Sequence, residues 1–159
     1  MKQEIKVALL VSFVTLFIAS CKKDTASNTT TTSTPSKPAE QYLTAHPWKP
    51  KEIRGVVSNF VIYYLRGGSA NTQSFDNEYI TFNTNNTGTY TDNTGKQSQL
   101  TWNFANTDKT KLNFTVQLTP NISNVTWEHI VYNDTLIEYD QSYTVGGTNG
   151  HSHETRITK

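Results

Sequence analysis

The chain has 159 residues, a formal charge of +1 and 35% hydrophobic residues. Residues 1–20 contain Lys2, Lys6 and Glu4, so the remainder carries twelve basic and twelve acidic side chains. No basic surplus exists to neutralise phosphates, which argues against a nucleic-acid partner. The single cysteine excludes both a disulfide framework and a cysteine-based zinc site.

Lys2 and Lys6 form a positive start, and Val7 to Ala19 is an apolar run of 13 residues broken only by Ser12 and Thr15. A membrane span needs roughly 20 residues, so the run is too short to cross a bilayer. It ends in Ile18-Ala19-Ser20-Cys21. An aliphatic residue, two small residues and a cysteine resemble the lipobox of bacterial lipoproteins. The resemblance implies that residues 1–20 are a signal peptide, removed before Cys21. It also implies that the Cys21 thiol carries lipid. Acyl chains such as palmitate, each worth about 0.8 kcal/mol per buried CH₂, then hold the protein on a membrane without a transmembrane helix.

Residues 21–38 read CKKDTASNTTTTSTPSKP, with no large apolar side chain to offset the entropy of ordering. They are expected to be a disordered tether spanning about 23 Å as a flexible coil. The Lys22-Lys23-Asp24 start is similar to post-cysteine stretches in lipoproteins of the Bacteroidetes, some displayed on the cell surface. That similarity implies a lipid-anchored protein of the cell envelope, on the outer membrane, with display at the cell surface as the further option. Asp24-Thr25-Ala26 and Asp134-Thr135-Leu136 resemble the sequons these bacteria O-glycosylate, marking Thr25 and Thr135 as candidate sites. Chance matches in a Thr-rich chain compete with that reading.

Thr and Asn together account for 41 residues, and 18 residues are aromatic. Thr favours strands and Asn favours turns, so residues 39–159 are expected to be one all-β domain. Pro38 and Pro47 bracket a short helix over 39–44. Strands are expected at 52–66, 78–84, 87–92, 97–105, 111–118, 124–132, 135–145 and 151–158. Leu100, Trp102 and Phe104 alternate with Thr101 and Asn103, and Leu112, Phe114, Val116 and Leu118 alternate with polar residues. Period-two patterning implies a sheet with one buried face. Asn- and Gly-rich turns at close spacing make the strands sequential and antiparallel. Eight such strands leave no exposed edge if they close into a small up-and-down β-barrel. A β-sandwich is the alternative.

Leu43-Thr44-Ala45-His46-Pro47-Trp48 before a long first strand is similar to the opening of bacterial lipocalin-like domains. So are Tyr79-Ile80-Thr81-Phe82-Asn83, with its turn into Gly88-Thr89-Tyr90, and Leu100-Thr101-Trp102-Asn103-Phe104. Lipocalins proper carry Gly-x-Trp before the first strand, whereas His46 and Pro47 occupy the first two places here. The resemblance implies that Arg156, in the last strand, packs across Trp48 and closes one end of the barrel. A cation over an indole contributes about 0.5–2 kcal/mol.

Trp102, Phe104, Phe114, Val116, Trp127 and His129 are the candidate cavity-lining residues, since alternation places them inward. The competing reading is that they simply fill a small barrel. His151 and His153 share a strand face, and with His129 they could bind Zn²⁺. A His-x-His pair beside a Gly-rich turn is more often an exposed hairpin tip. Glu138 and Asp140 also share a face, with Glu128 nearby, which suits paired-carboxylate chemistry or a solvated surface. Gly67-Gly68-Ser69-Ala70-Asn71 lacks the closing glycine of a nucleophile elbow, and the nucleotide and metalloprotease motifs are absent. The run Asn59 to Leu65 is apolar on both faces, so it needs a cover or is a binding patch. The expectation is therefore non-enzymatic and without cofactor. A membrane-anchored barrel binding a small apolar or amphipathic molecule leads, and an envelope protein or glycan interaction module with a solid core is the alternative.

Overall fold

A computed structural model describes residues 37–159; the expected signal peptide, Cys21, Thr25 and most of the expected tether lie outside the described residues. Helix α1 (Ala39–Ala45) precedes nine strands. They are β1 (Trp48–Val57), β2 (Phe60–Leu65), β3 (Tyr79–Phe82), β4 (Thr87–Thr91), β5 (Gln97–Phe104), β6 (Leu112–Val116), β7 (Ser123–Tyr132), β8 (Leu136–Val145) and β9 (Thr148–Thr158).

From β3 to β9 each strand pairs antiparallel with the next. Strand β9 then returns to β1, from Trp48↔Thr158 to Val57↔Gly150, and β1 meets β3 at Trp48↔Ile80. Eight strands thus form a closed up-and-down barrel, which excludes the sandwich. Closure satisfies both edges of the ring, removing the exposed rows of N–H and C=O that an open sheet presents.

The single strand expected over 52–66 is in fact a hairpin. Residues Glu52 to Val57 of β1 pair with Phe60 to Leu65 of β2 around a two-residue turn, with Ser58 at φ 52°. A positive φ inside a two-residue loop is the geometry that suits tight hairpins. The apolar residues flanking Ser58-Asn59 conceal the turn from a periodicity reading. Strand β2 takes the same edge of β1 that β3 takes nearer Trp48. Its own outer edge is covered by the segment that follows. Thr72 N donates to Tyr63 O, Leu65 N donates to the Asn71 side chain, and Asn71 Nδ2 returns a bond to Leu65 O. Phe75 meets the ring of Tyr64 edge-on.

One end of the barrel is plugged by α1. Pro38 starts the helix and its carbonyl accepts the Gln41 N–H; extended His46 and then Pro47 end it. Leu43 is fully buried, its carbonyl accepts the Trp48 indole N–H at 2.9 Å, and Tyr42 stacks on Tyr132. Behind this plug an aromatic cluster fills the interior. Phe82 stands edge-on to Trp102, Phe114 and Trp127 at 5.8, 5.8 and 5.5 Å. Edge-to-face geometry sets positive ring edges on negative ring faces, adding about 0.5–1.5 kcal/mol per pair to the burial. Among the described residues no helix is long and apolar enough to cross a membrane.

Candidate functional site

Away from α1 the barrel is not filled. A cavity of about 220 Å³ lies between β1, β2 and the 67–78 segment on one side and β6, β7 and β8 on the other. The volume equals that of about seven waters at ~30 Å³ each. Its walls are apolar, built from Ile53, Ile62, Phe75, Ile80, Val116 and Val125 among others. These come from the inward set of each strand, as the alternating burial of β6 and β7 shows.

One part of the lining is charged. Arg156 and Glu154 point inward from β9, and Glu78 reaches in from just before β3; all three are almost fully buried. Arg156 Nη2 donates to Glu78 Oε1 at 2.7 Å and to Glu154 Oε2 at 3.2 Å. Arg156 Nε donates to the Tyr139 hydroxyl, which donates in turn to Glu154 Oε2 at 2.7 Å. Gln141 Nε2 and Ser152 Oγ both donate to Glu154 Oε1 at 2.8 Å, and Tyr90 Oη donates to Glu78 Oε2 at 3.0 Å. Trp127 Nε1 donates to Gln141 Oε1, tying the network to the aromatic core. Desolvation by the apolar walls pushes the Glu78 carboxyl above the usual carboxylate range, although Arg156 pulls the other way. The same desolvation raises the Tyr90 and Tyr139 hydroxyls, which therefore act as hydrogen-bond donors rather than phenolates.

The expected lining residues divide. Phe114, Val116 and Trp127 face the cavity. Trp102 is buried in the packed half, its indole N–H donating to the carbonyls of Asn83 and Thr87, and Phe104 packs on that cluster. His129 points outward with its side chain 80% exposed, against the expectation that it shares the face of Trp127. The register shifts between Glu128 and Val131, and His129 sits at φ 54°. This bulge inserts an extra residue, so Ile130 rather than His129 resumes the inward set.

Arg156 lies 5.9 Å from the ring of Trp127, and Trp48 meets it through a backbone carbonyl at 3.4 Å. The indole that faces the guanidinium is thus Trp127, where the resemblance had implied Trp48. Both tryptophans are fully buried. His151 and His153 are exposed on one face of β9, as their two-residue spacing on a strand requires, and His151 also borders the cavity. His153 Nδ1 and His129 Nδ1 each lie 2.9 Å from a separate oxygen of Asp140, and Glu138 is 3.4 Å from His153. These imidazoles hold the Asp140 carboxyl below the usual range. Glu128 pairs instead with Lys111 at 2.6 Å. Among the described residues no group of three or more His, Cys, Asp or Glu side chains is placed to hold a metal ion. Thr135 is exposed in the turn between β7 and β8, its N–H donating to Asn133 Oδ1.

Sequence reasoning missed the charged cluster, apart from Arg156. Glu78 follows a polar stretch and reads as surface. Glu154 falls between exposed His153 and half-buried Thr155, and only its parity with Arg156 could have revealed that it points inward. No family model matches the chain, and no curated protein or solved structure matches it.

Proposed function

We propose that the chain is a lipid-anchored protein of the cell envelope whose lipocalin-like barrel binds a small apolar or amphipathic molecule, without catalysis. The observation that carries this reading is the cavity inside the barrel. Apolar walls with a few convergent polar groups are the general form of a small-molecule site. At about 220 Å³ it lies below the ~300–1,000 Å³ of drug-sized sites, so the ligand is small. The lipobox-like Ile18-Ala19-Ser20-Cys21 supports the anchor.

Native mass spectrometry of residues 21–159 with Cys21→Ser, purified from a bacterial periplasm without detergent, tests the ligand. A stoichiometric co-purifying molecule supports a carrier. The anchor is tested separately by incorporation of labelled palmitate into the full chain, which Cys21→Ser should abolish.

A second reading, an interaction module for an envelope protein or glycan, draws support from Phe60 and Val61. They are 77% and 68% exposed beside the β1–β2 turn, and Ile122 is 53% exposed in the β6–β7 loop. A ligand-free mass in repeated preparations would favour this reading over the first.

A further inference from the structure

The charged part of the cavity selects the head group of a ligand, an inference that rests on the cavity-binding reading above. Among the side chains lining the cavity, Glu78 and Glu154 meet one guanidinium, Arg156, which leaves a formal excess of one negative charge. The two carboxylates are not equivalent. An ionised carboxylate offers about four lone-pair sites. Glu154 receives four donors, from Tyr139, Arg156, Gln141 and Ser152. Glu78 receives two side-chain donors, one on each oxygen, from Arg156 and Tyr90. It is 5% exposed and lines the cavity, and these two donors leave about two of its acceptor sites open.

Arg156 has less capacity left for an anion, one of its five N–H donors. Nε is taken by Tyr139, Nη2 by both carboxylates, and Nη1 reaches the Trp48 carbonyl. A ligand carboxylate or phosphate entering here would confront two carboxylates across a guanidinium already engaged. We propose that the cavity takes a small ligand with an apolar body and a protonated-amine head, and that the amine docks on Glu78. An ammonium supplies up to three N–H donors and one positive charge, which matches both the vacant acceptor sites and the charge imbalance. An apolar body seated against these walls would displace the water beside Glu78, which strengthens a charged hydrogen bond.

The test is a nuclear magnetic resonance titration of residues 21–159 carrying Cys21→Ser, at neutral pH, with hexylamine, hexanol and hexanoate. The three probes share a six-carbon body and differ in the head. Hexylamine should bind about tenfold or more tighter than hexanol, the scale of one charge-assisted hydrogen bond, and hexanoate should bind weakest. In Glu78→Gln hexylamine should lose its advantage over hexanol, with hexanol still shifting the cavity resonances; an advantage that persists would overturn the assignment to Glu78. If that variant does not fold, the wild-type ranking decides alone. Equal binding of hexanol and hexylamine, or tightest binding of hexanoate, would overturn the head-group assignment and leave the cavity reading standing. Failure of all three to shift any cavity resonance would overturn both.

Discussion

Trp127 and Tyr139 stack face to face, with ring centroids 3.8 Å and planes 15° apart, and both connect to Glu154. Tyr139 reaches that carboxylate directly and Trp127 reaches it through Gln141. The pair therefore joins the filled aromatic half of the barrel to the charged lining of the cavity. Tyr139 is the more constrained of the two, because its hydroxyl both donates to Glu154 and accepts from Arg156.

Tyr139→Phe keeps the ring stack and removes that hydroxyl. A buried Arg156 N–H and a Glu154 lone pair are left without a partner, each in surroundings that water does not reach. The expected loss is about 1–3 kcal/mol in urea denaturation. An unchanged midpoint would mean that the network relaxes around the gap.

Arg156 and Trp48 should behave nearly independently, since their contact is through a main-chain carbonyl that substitution leaves in place. Arg156→Met strands two buried carboxylates and is expected to cost about 3–5 kcal/mol. Combined with Trp48→Phe, the losses should add within about 0.5 kcal/mol. Combined with Trp127→Phe they should deviate from additivity, because that indole faces the guanidinium at 5.9 Å. Strong coupling with Trp48 and none with Trp127 would reverse the assignment of the cation–π partner.

The pH dependence of stability separates Glu78 from the surface carboxylates. Burial raises the folded-state value of Glu78 above its ordinary 4.5, so the folded protein holds this proton more tightly than the unfolded chain. Its contribution is complete below pH 4.5 and is lost as pH rises through the raised value. Asp92 and Asp140 act in the opposite sense. Hydrogen bonds lower their values from 3.8, so their contribution is lost as pH falls below that. The melting temperature of the wild type should therefore decline from pH 5 upward more steeply than that of Glu78→Gln. Parallel profiles would contradict the raised value.

Gly150 makes room for Tyr143, which stands opposite it across β8 and β9 and lines the cavity. A Cβ on residue 150 would come within 2.4 Å of the Tyr143 ring. Gly150→Ala is expected to cost about 1–3 kcal/mol and to push that ring aside. The same substitution in a Tyr143→Ala background should be nearly neutral. A cost that persists there would place the strain in the backbone instead.

How much of this was legible follows from the range over which each feature is determined. Strands β5 and β6 were readable because alternation in Leu100 to Phe104 and Leu112 to Val116 is a local property with a period of two. The hairpin at Ser58-Asn59 was not, because two polar residues without a glycine are a weak turn signal inside a long apolar stretch. His129 was misplaced because period-two counting assumes an unbroken ladder, and the bulge between Glu128 and Val131 breaks it. No local rule announces a bulge of this kind.

Local sequence was enough for the strands from β3 to β9, their sequential antiparallel order, the short helix between Pro38 and Pro47, and the inward-facing aromatics of β5 and β6. Each of these follows from turn chemistry and hydrophobic alternation within about ten residues. Long-range packing sets the rest: the barrel is packed at the α1 end and hollow beyond it, and Glu78, 78 residues from Arg156 in the chain, shares its guanidinium with Glu154. Those features depend on ring closure between β1 and β9 and on the volumes that meet across the barrel. Both are sums over distant residues, to which composition and periodicity are blind.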